Sequence, residues 1–159
     1  MDLDFSSSDE LNELIRQVNI KYYERFNANI LYLEELADRI FIIYIIELRD
    51  AYSHLVRVHD YDINNPEGKR NIHSHLEKYI NHLQSGLLDT FRKILDIEYR
   101  SARAAIHRNN VRAFDQYVAQ KAAELRVMND TNTVDNRIDG YIKLLQYLSD
   151  IRKKLVKVN

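Results

Sequence analysis

The chain of 159 residues has no cysteine and no tryptophan, one proline and three glycines. Without thiols it can form neither a disulfide nor a thiolate metal centre, which agrees with a reducing compartment. So little proline and glycine, beside 30% charged residues, argues against a turn-rich sheet and for long uninterrupted helices. The net charge of −1 and the pI near 6.6 leave no global field to hold a polyanion, so any nucleic-acid contact has to come from a local patch. Gly-rich phosphate loops, His-Glu-x-x-His and nucleophile elbows are all missing, which excludes the enzyme classes built on them. No apolar run approaches the ~20 residues of a membrane span. The opening Met1 to Glu10 is acidic and polar, so no signal peptide and a cytoplasmic location are expected.

What the chain does have is apolar side chains repeating with the α-helical period. Ser7 with Glu10 has the form of a capping box and places a helix start near Ser8. From Leu11 through Tyr22, Phe26, Ile30, Leu33, Ala51 and Leu55 to Val58 the mean spacing is about 3.6. The weak helix formers Asn27-Ala28-Asn29 are the expected place for a break, giving helices 8–26 and 29–60; whether the two are continuous stays open. Asp60 to Gly68 is a loop in which Asn65 caps a helix beginning at Pro66. A second stripe from Ile72 through Leu87 to Ile106 predicts a helix over 66–107, and Gly86 interrupts it. Arg108-Asn109-Asn110 and Asn129 to Asn132 are turns before two shorter helices. Bases near the end, Arg152 and Lys153 among them, match a helix C-terminal dipole.

The fold expected is therefore all-α, an antiparallel bundle of four to five long helices with 29–60 and 66–107 as a central hairpin. Residues 1–159 are expected to form a single domain with 1–7 disordered. Seven apolar residues in a row, Ile40 to Ile46, are apolar on every face, which suits a helix central to the bundle or one buried at an oligomer interface.

Two segments echo each other across the loop. Arg49-Asp50-Ala51-Tyr52-Ser53-His54-Leu55 and Arg70-Asn71-Ile72-His73-Ser74-His75-Leu76 share the pattern Arg-[Asp/Asn]-x-x-Ser-His-Leu. Arg70-Asn71-x-x-x-His75 and Arg49-Asp50-x-x-x-His54 resemble the Arg-x4–6-His signature of the HEPN superfamily, small helical bundles that include metal-independent endoribonucleases; Arg100-Ser101 to His107 is a looser match. The resemblance implies His75 as general acid or base on a ribose 2′-hydroxyl, Arg70 stabilising charge on phosphate, and a site assembled across a dimer. The alternative is helix-surface Arg and His engaged in capping and inter-helix hydrogen bonds.

Glu47, Asp50 and His54 lie on one face at i, i+3 and i+7 and suggest a metal site with His75 and His82; the Glu-x-x-His pairs of di-iron bundles are missing, so no metal or other cofactor is expected. The 11 tyrosines fall mostly on the apolar stripes, with Tyr23 and Tyr32 among the exceptions that suit a partner surface. Arg92, Lys93, Arg100, Arg103, Arg108 and Arg112 form either a phosphate-facing stripe or a solvated helix face, since acids interleave with them. The function expected is a helical interaction or oligomerisation module, a homodimer or the subunit of a larger assembly, with a HEPN-like endoribonuclease as the rival and RNA as its partner. No membrane or small-molecule substrate is expected.

Overall fold

A computed structural model describes residues 3–106, 110–127 and 133–156, and every regular element among them is helical. They are α1 (Ser8–Val18), a π-helical segment (Asn19–Tyr23), α2 (Glu24–Ala37), α3 (Ile42–Val58), α4 (Pro66–Ala105), α5 (Val111–Val127) and α6 (Thr133–Val156). The all-α class follows directly. The turns expected at Arg108-Asn109 and Asn129 to Asn132, together with His107, lie outside the described residues. By internal contacts the chain divides into two compact units, Met1–Thr90 and Phe91–Asn159, and the division falls within α4.

In the first unit α1 starts where the sequence places it. The Ser7 hydroxyl accepts from the Glu10 N–H at 3.3 Å, and the Glu10 carboxylate reaches back to the Ser6 N–H at 2.6 Å. The first bond satisfies one of the helix's orphan donors, and the second ties the residue ahead of the cap to the first turn. The segment ahead of it, expected to be disordered, carries Phe5, which is buried and stacked on His73 with ring centroids 5.7 Å apart. Val18, Tyr22, Phe26 and Ile30 are all buried although each is four residues from the next. In an ideal α-helix that spacing drifts around the axis; the wider i→i+5 turn at Asn19–Tyr23 offsets the drift and holds the four on one face.

The break expected at Asn27-Ala28-Asn29 is not there. Helix α2 runs through it, because Phe26 and Ile30 are buried on either side and the Asn29 amide donates to the buried Thr90 hydroxyl at 3.1 Å. The chain breaks instead at Asp38–Phe41. Asp38 takes the left-handed conformation (φ 48°, ψ 43°) and its N–H caps the Glu34 carbonyl, a conformation that Asp tolerates better than most residues. Side-chain contacts give the directions within this unit. Tyr23 meets Tyr52 and Phe26 meets Tyr44, so α3 runs back along the first rod. His54 meets His75 and Tyr44 donates to the Asp89 carbonyl, so α4 runs antiparallel to α3.

The loop between α3 and α4 is built as its residues suggest. The Asn65 side chain accepts from the Glu67 N–H at 2.9 Å, with Pro66 as the first helical residue. Gly68 sits so close to the loop that a Cβ would lie 2.1 Å from the Asp62 carbonyl oxygen. Gly86, an interruption in the sequence stripe, has a packing reason. A Cβ there would lie 2.2 Å from the buried Phe26 ring.

The second unit is stapled by aromatic and ionic pairs. Phe91 stacks on Tyr141 and Tyr99 on Phe114, with centroids 5.9 and 5.6 Å apart. The Tyr99 hydroxyl donates to Asp115 at 2.7 Å, and Arg103 pairs with the same carboxylate at 3.0 Å. Arg152, read from the sequence as a helix-dipole residue, instead meets the buried Glu98 at 2.8 Å, which supplies the counter-charge that a buried carboxylate requires.

Gly86→Ala is expected to destabilise the protein. Overpacking against Phe26 costs about 1–3 kcal/mol, against a gain of roughly 1 kcal/mol in helix propensity. Urea denaturation should show a lower midpoint, and Phe26→Leu in the same chain should recover part of it. A midpoint raised by Gly86→Ala alone would show that the ring has room to move.

Candidate functional site

The two echo segments meet. His54 on α3 and His75 on α4 face each other with their Nδ1 atoms 3.1 Å apart. Tyr61, in the loop between them, stacks on His75 with centroids 5.7 Å apart and planes 17° from parallel. On the other side the His54 ring stacks on His82 at 5.5 Å and 21°, and His82 Nδ1 lies 3.0 Å from the Glu47 carboxylate. Tyr61, His75, His54, His82 and Glu47 thus form one continuous ladder of side chains. Helical spacing explains it, since His75 and His82 lie two turns apart on one face of α4, and Glu47 and His54 two turns apart on α3.

The 3.1 Å contact requires one bare Nδ1 in the pair. One Nδ1 carries the proton and donates, while the other accepts through its bare lone pair with its own proton on Nε2. With both rings protonated two N–H groups would face each other and the contact would open. Burial is the largest influence holding the pKa of each ring below the ordinary imidazole value. For His54 the neighbouring His75, His82, Lys78 and Arg57 add to it, and for His75 Lys78 and Arg57 do, opposed by Asp60.

The structure does not bring the motif arginines to this ladder. Arg49 is exposed and its guanidinium lies 2.8 Å from the adjacent Asp50. Arg70 is exposed on α4; five residues before His75, it lies about 140° around the helix from it. Asn71, four residues before His75, shares the His75 face and is half-buried. In the looser match Arg100 pairs with Asp96 at 2.9 Å, and His107 lies outside the described residues. The cations near the two rings are Arg57 and Lys78. Sequence reasoning passed over both, yet the signal was present: the echo continues as Ser-His-Leu-x-[Arg/Lys], placing a base three residues after each histidine.

Among the described residues no group of three or more His, Asp or Glu is placed to hold a metal ion. Of the metal candidates, Asp50 is drawn to Arg49 and Glu47 to His82. Three cations of the basic stripe are engaged within the second unit: Arg92 donates to the Tyr141 hydroxyl at 3.4 Å, Arg100 pairs with Asp96 and Arg103 with Asp115. Arg112 is exposed and Arg108 lies outside the described residues.

A second feature stands out in the first unit. The run Ile40 to Ile46 was expected to be central to a bundle or buried at an oligomer interface, and its exposure in the single chain overturns the first placement. Ile40, Ile42, Ile43, Ile45 and Ile46 are 38% to 68% exposed, and Phe41 alone of the seven is buried. Helix α3 turns Ala51, Leu55 and Val58 inward, so its outer face carries the isoleucines. Exposed Tyr52 and Val56 extend that face, and Leu31 and Tyr32 on α2 are also exposed.

Stability should depend on pH through the histidine pair. A histidine pKa lowered in the folded state means that the unfolded chain takes up protons first. The contribution is therefore fully present above the ordinary value of 6.5 and is lost as pH falls from there through the lowered values. Denaturation midpoints measured between about pH 7.5 and pH 5 should decline in the wild type and decline less in a His54→Gln, His75→Gln variant. Equal decline in both would remove the pair from the account.

The chain matches no family model, no curated protein and no solved structure.

Proposed function

We propose that the chain is a helical interaction and oligomerisation module, a homodimer or the subunit of a larger assembly, and that it docks protein on the outer face of α3. The observation that carries this is the exposure of five isoleucines between residues 40 and 46. Burying one such side chain is worth about 1.5–3 kcal/mol, so leaving several together in water is a cost that a protein partner removes, and contiguous patches of this kind mark interaction surfaces. No helix among the described residues is long and apolar enough to cross a membrane. The arrangement of the whole chain as an antiparallel bundle of four to five helices around a central hairpin belongs to the same proposal, supported by the α3 to α4 contacts of the histidine ladder.

Size-exclusion chromatography with light scattering tests it. Wild type should elute at a multiple of 18.9 kDa, and Ile42→Asp with Ile46→Asp, both at exposed positions, should return it to the single-chain mass without loss of helicity. A wild-type mass of one chain at every concentration would sink the proposal.

A second reading, a HEPN-like metal-independent endoribonuclease with RNA as substrate, is favoured by the His54 to His75 contact with Arg57 and Lys78 close by. In this reading one ring withdraws the 2′-hydroxyl proton as that oxygen bonds to phosphorus, the P–O bond to the departing 5′-oxygen breaks and that oxygen takes up a proton, and the cations hold the phosphate. Labelled single-stranded RNA should then be cut in the presence of chelator by wild type and spared by His75→Ala. RNA left intact by the wild type would end this reading.

A further inference from the structure

We infer that the occupant of the α3 face is a second copy of this chain, packed antiparallel, with the two-fold axis passing beside Arg49 and Asp50. The inference rests on the docking reading above and specifies its partner and register.

The outer face of α3 has a defined pattern. Ile42, Ile45, Arg49, Tyr52 and Val56 are spaced by three and four residues, Ile46 adjoins Ile45, and all six are exposed, which is the a, d and e arrangement of a helix seam without its mate. It spans 14 residue steps, about 21 Å of helix. Arg49 stands at its midpoint. Inverting the seam about Arg49 lays Ile42 on Val56 and Ile46 on Tyr52, so every large apolar side chain except Ile45 meets another; Ile45 meets Ser53 at the edge. The seam is self-complementary in shape class, and a two-fold interface requires that.

A parallel pair would also match apolar with apolar, and charge decides between them. The Arg49 guanidinium leans toward Asp50, 2.8 Å away, on one flank of the seam. In a parallel pair the two-fold runs along the helices and puts the two flanks on opposite sides, so each copy keeps its own ion pair and the two arginines meet without a counter-charge between them. In an antiparallel pair the two-fold runs across the helices and puts both flanks on the same side. Arg49 and Asp50 of each copy then share one groove, where the guanidinium of each copy reaches the carboxylate of the other in an alternating four-charge network. The opposed helix dipoles add to this preference, and a net charge of −1 leaves little self-repulsion to overcome.

Charge exchange tests the register. Arg49→Asp alone places four acids in the groove and Asp50→Arg alone places four bases, so each variant should run at 18.9 kDa. Mixed in equal amounts they should form a heterodimer of twice that mass, seen by light scattering and native mass spectrometry. Because the chain has no cysteine, a second measurement is independent of charge. Chains carrying Ile46→Cys and Tyr52→Cys should form a mixed disulfide on mild oxidation, whereas Ile46→Cys alone should not link to itself. If wild type is a dimer but both charge variants dimerise unaided, or Ile46→Cys links to itself, the antiparallel register is wrong and the docking face stands. If wild type is a single chain at every concentration, the docking face and the register fall together.

Discussion

Burial of one side-chain stripe per helix is the constraint on which the rest of this structure depends. The stripe on α1 and α2 is continuous only because a π-helical segment absorbs three successive four-residue steps. The stripe on α4 holds the other side of the same core through Ile72, Leu76, Tyr79 and Leu83. Close approach between the two is set at Gly86, where the Phe26 ring takes the space of a side chain. Polar groups caught between the helices are paired within this core: Tyr79 donates to Asn19, and Thr90 both accepts from Asn29 and donates to the Leu87 carbonyl. Burial pushes the Tyr79 hydroxyl well above the usual tyrosine pKa, so it serves there as a neutral donor.

Helix α3 satisfies the same constraint on one side and leaves its other side apolar. Its inner residues Ala51, Leu55 and Val58 are small or medium and sit in the core. Its outer residues are as apolar as the inner ones near the N-terminal end and give way to Arg49, Ser53 and Arg57 further along. The histidine ladder and the isoleucine face are therefore two consequences of one placement. The rotation of α3 that buries Leu55 brings His54 to the rim against His75 and turns Ile42 and Ile46 outward.

The ladder itself is a joint between antiparallel helices, made of aromatic and polar side chains stacked edge to edge. One imidazole donates its Nδ1–H to the other across 3.1 Å, flanked by a stacked tyrosine and a third ring beside a carboxylate. Such a joint is polar and ordered without burying a charge, which suits a half-exposed rim where a salt bridge would gain little.

Much of this was legible along the chain. The period of the apolar residues determined helices, Ser7 and Asn65 with Pro66 determined two of their starts, and the echo of Arg-[Asp/Asn]-x-x-Ser-His-Leu marked the two histidines that meet. These are local matters, settled by spacing and by hydrogen bonds within a few residues. The break at Asp38, the straight passage through Asn27 to Asn29 and the side of α3 that faces water were decided by tertiary packing. A run such as Ile40 to Ile46 has no polar face to orient it, so its sequence is the same whether it lies in a core or outside one. The neighbouring helices choose which residues they cover, and Asn29 stays helical because Thr90, 61 residues away, accepts its amide. The arginines of the motif show the same division: spacing placed them beside the histidines in the chain, while helical rotation and the Asp50 carboxylate placed their charges elsewhere.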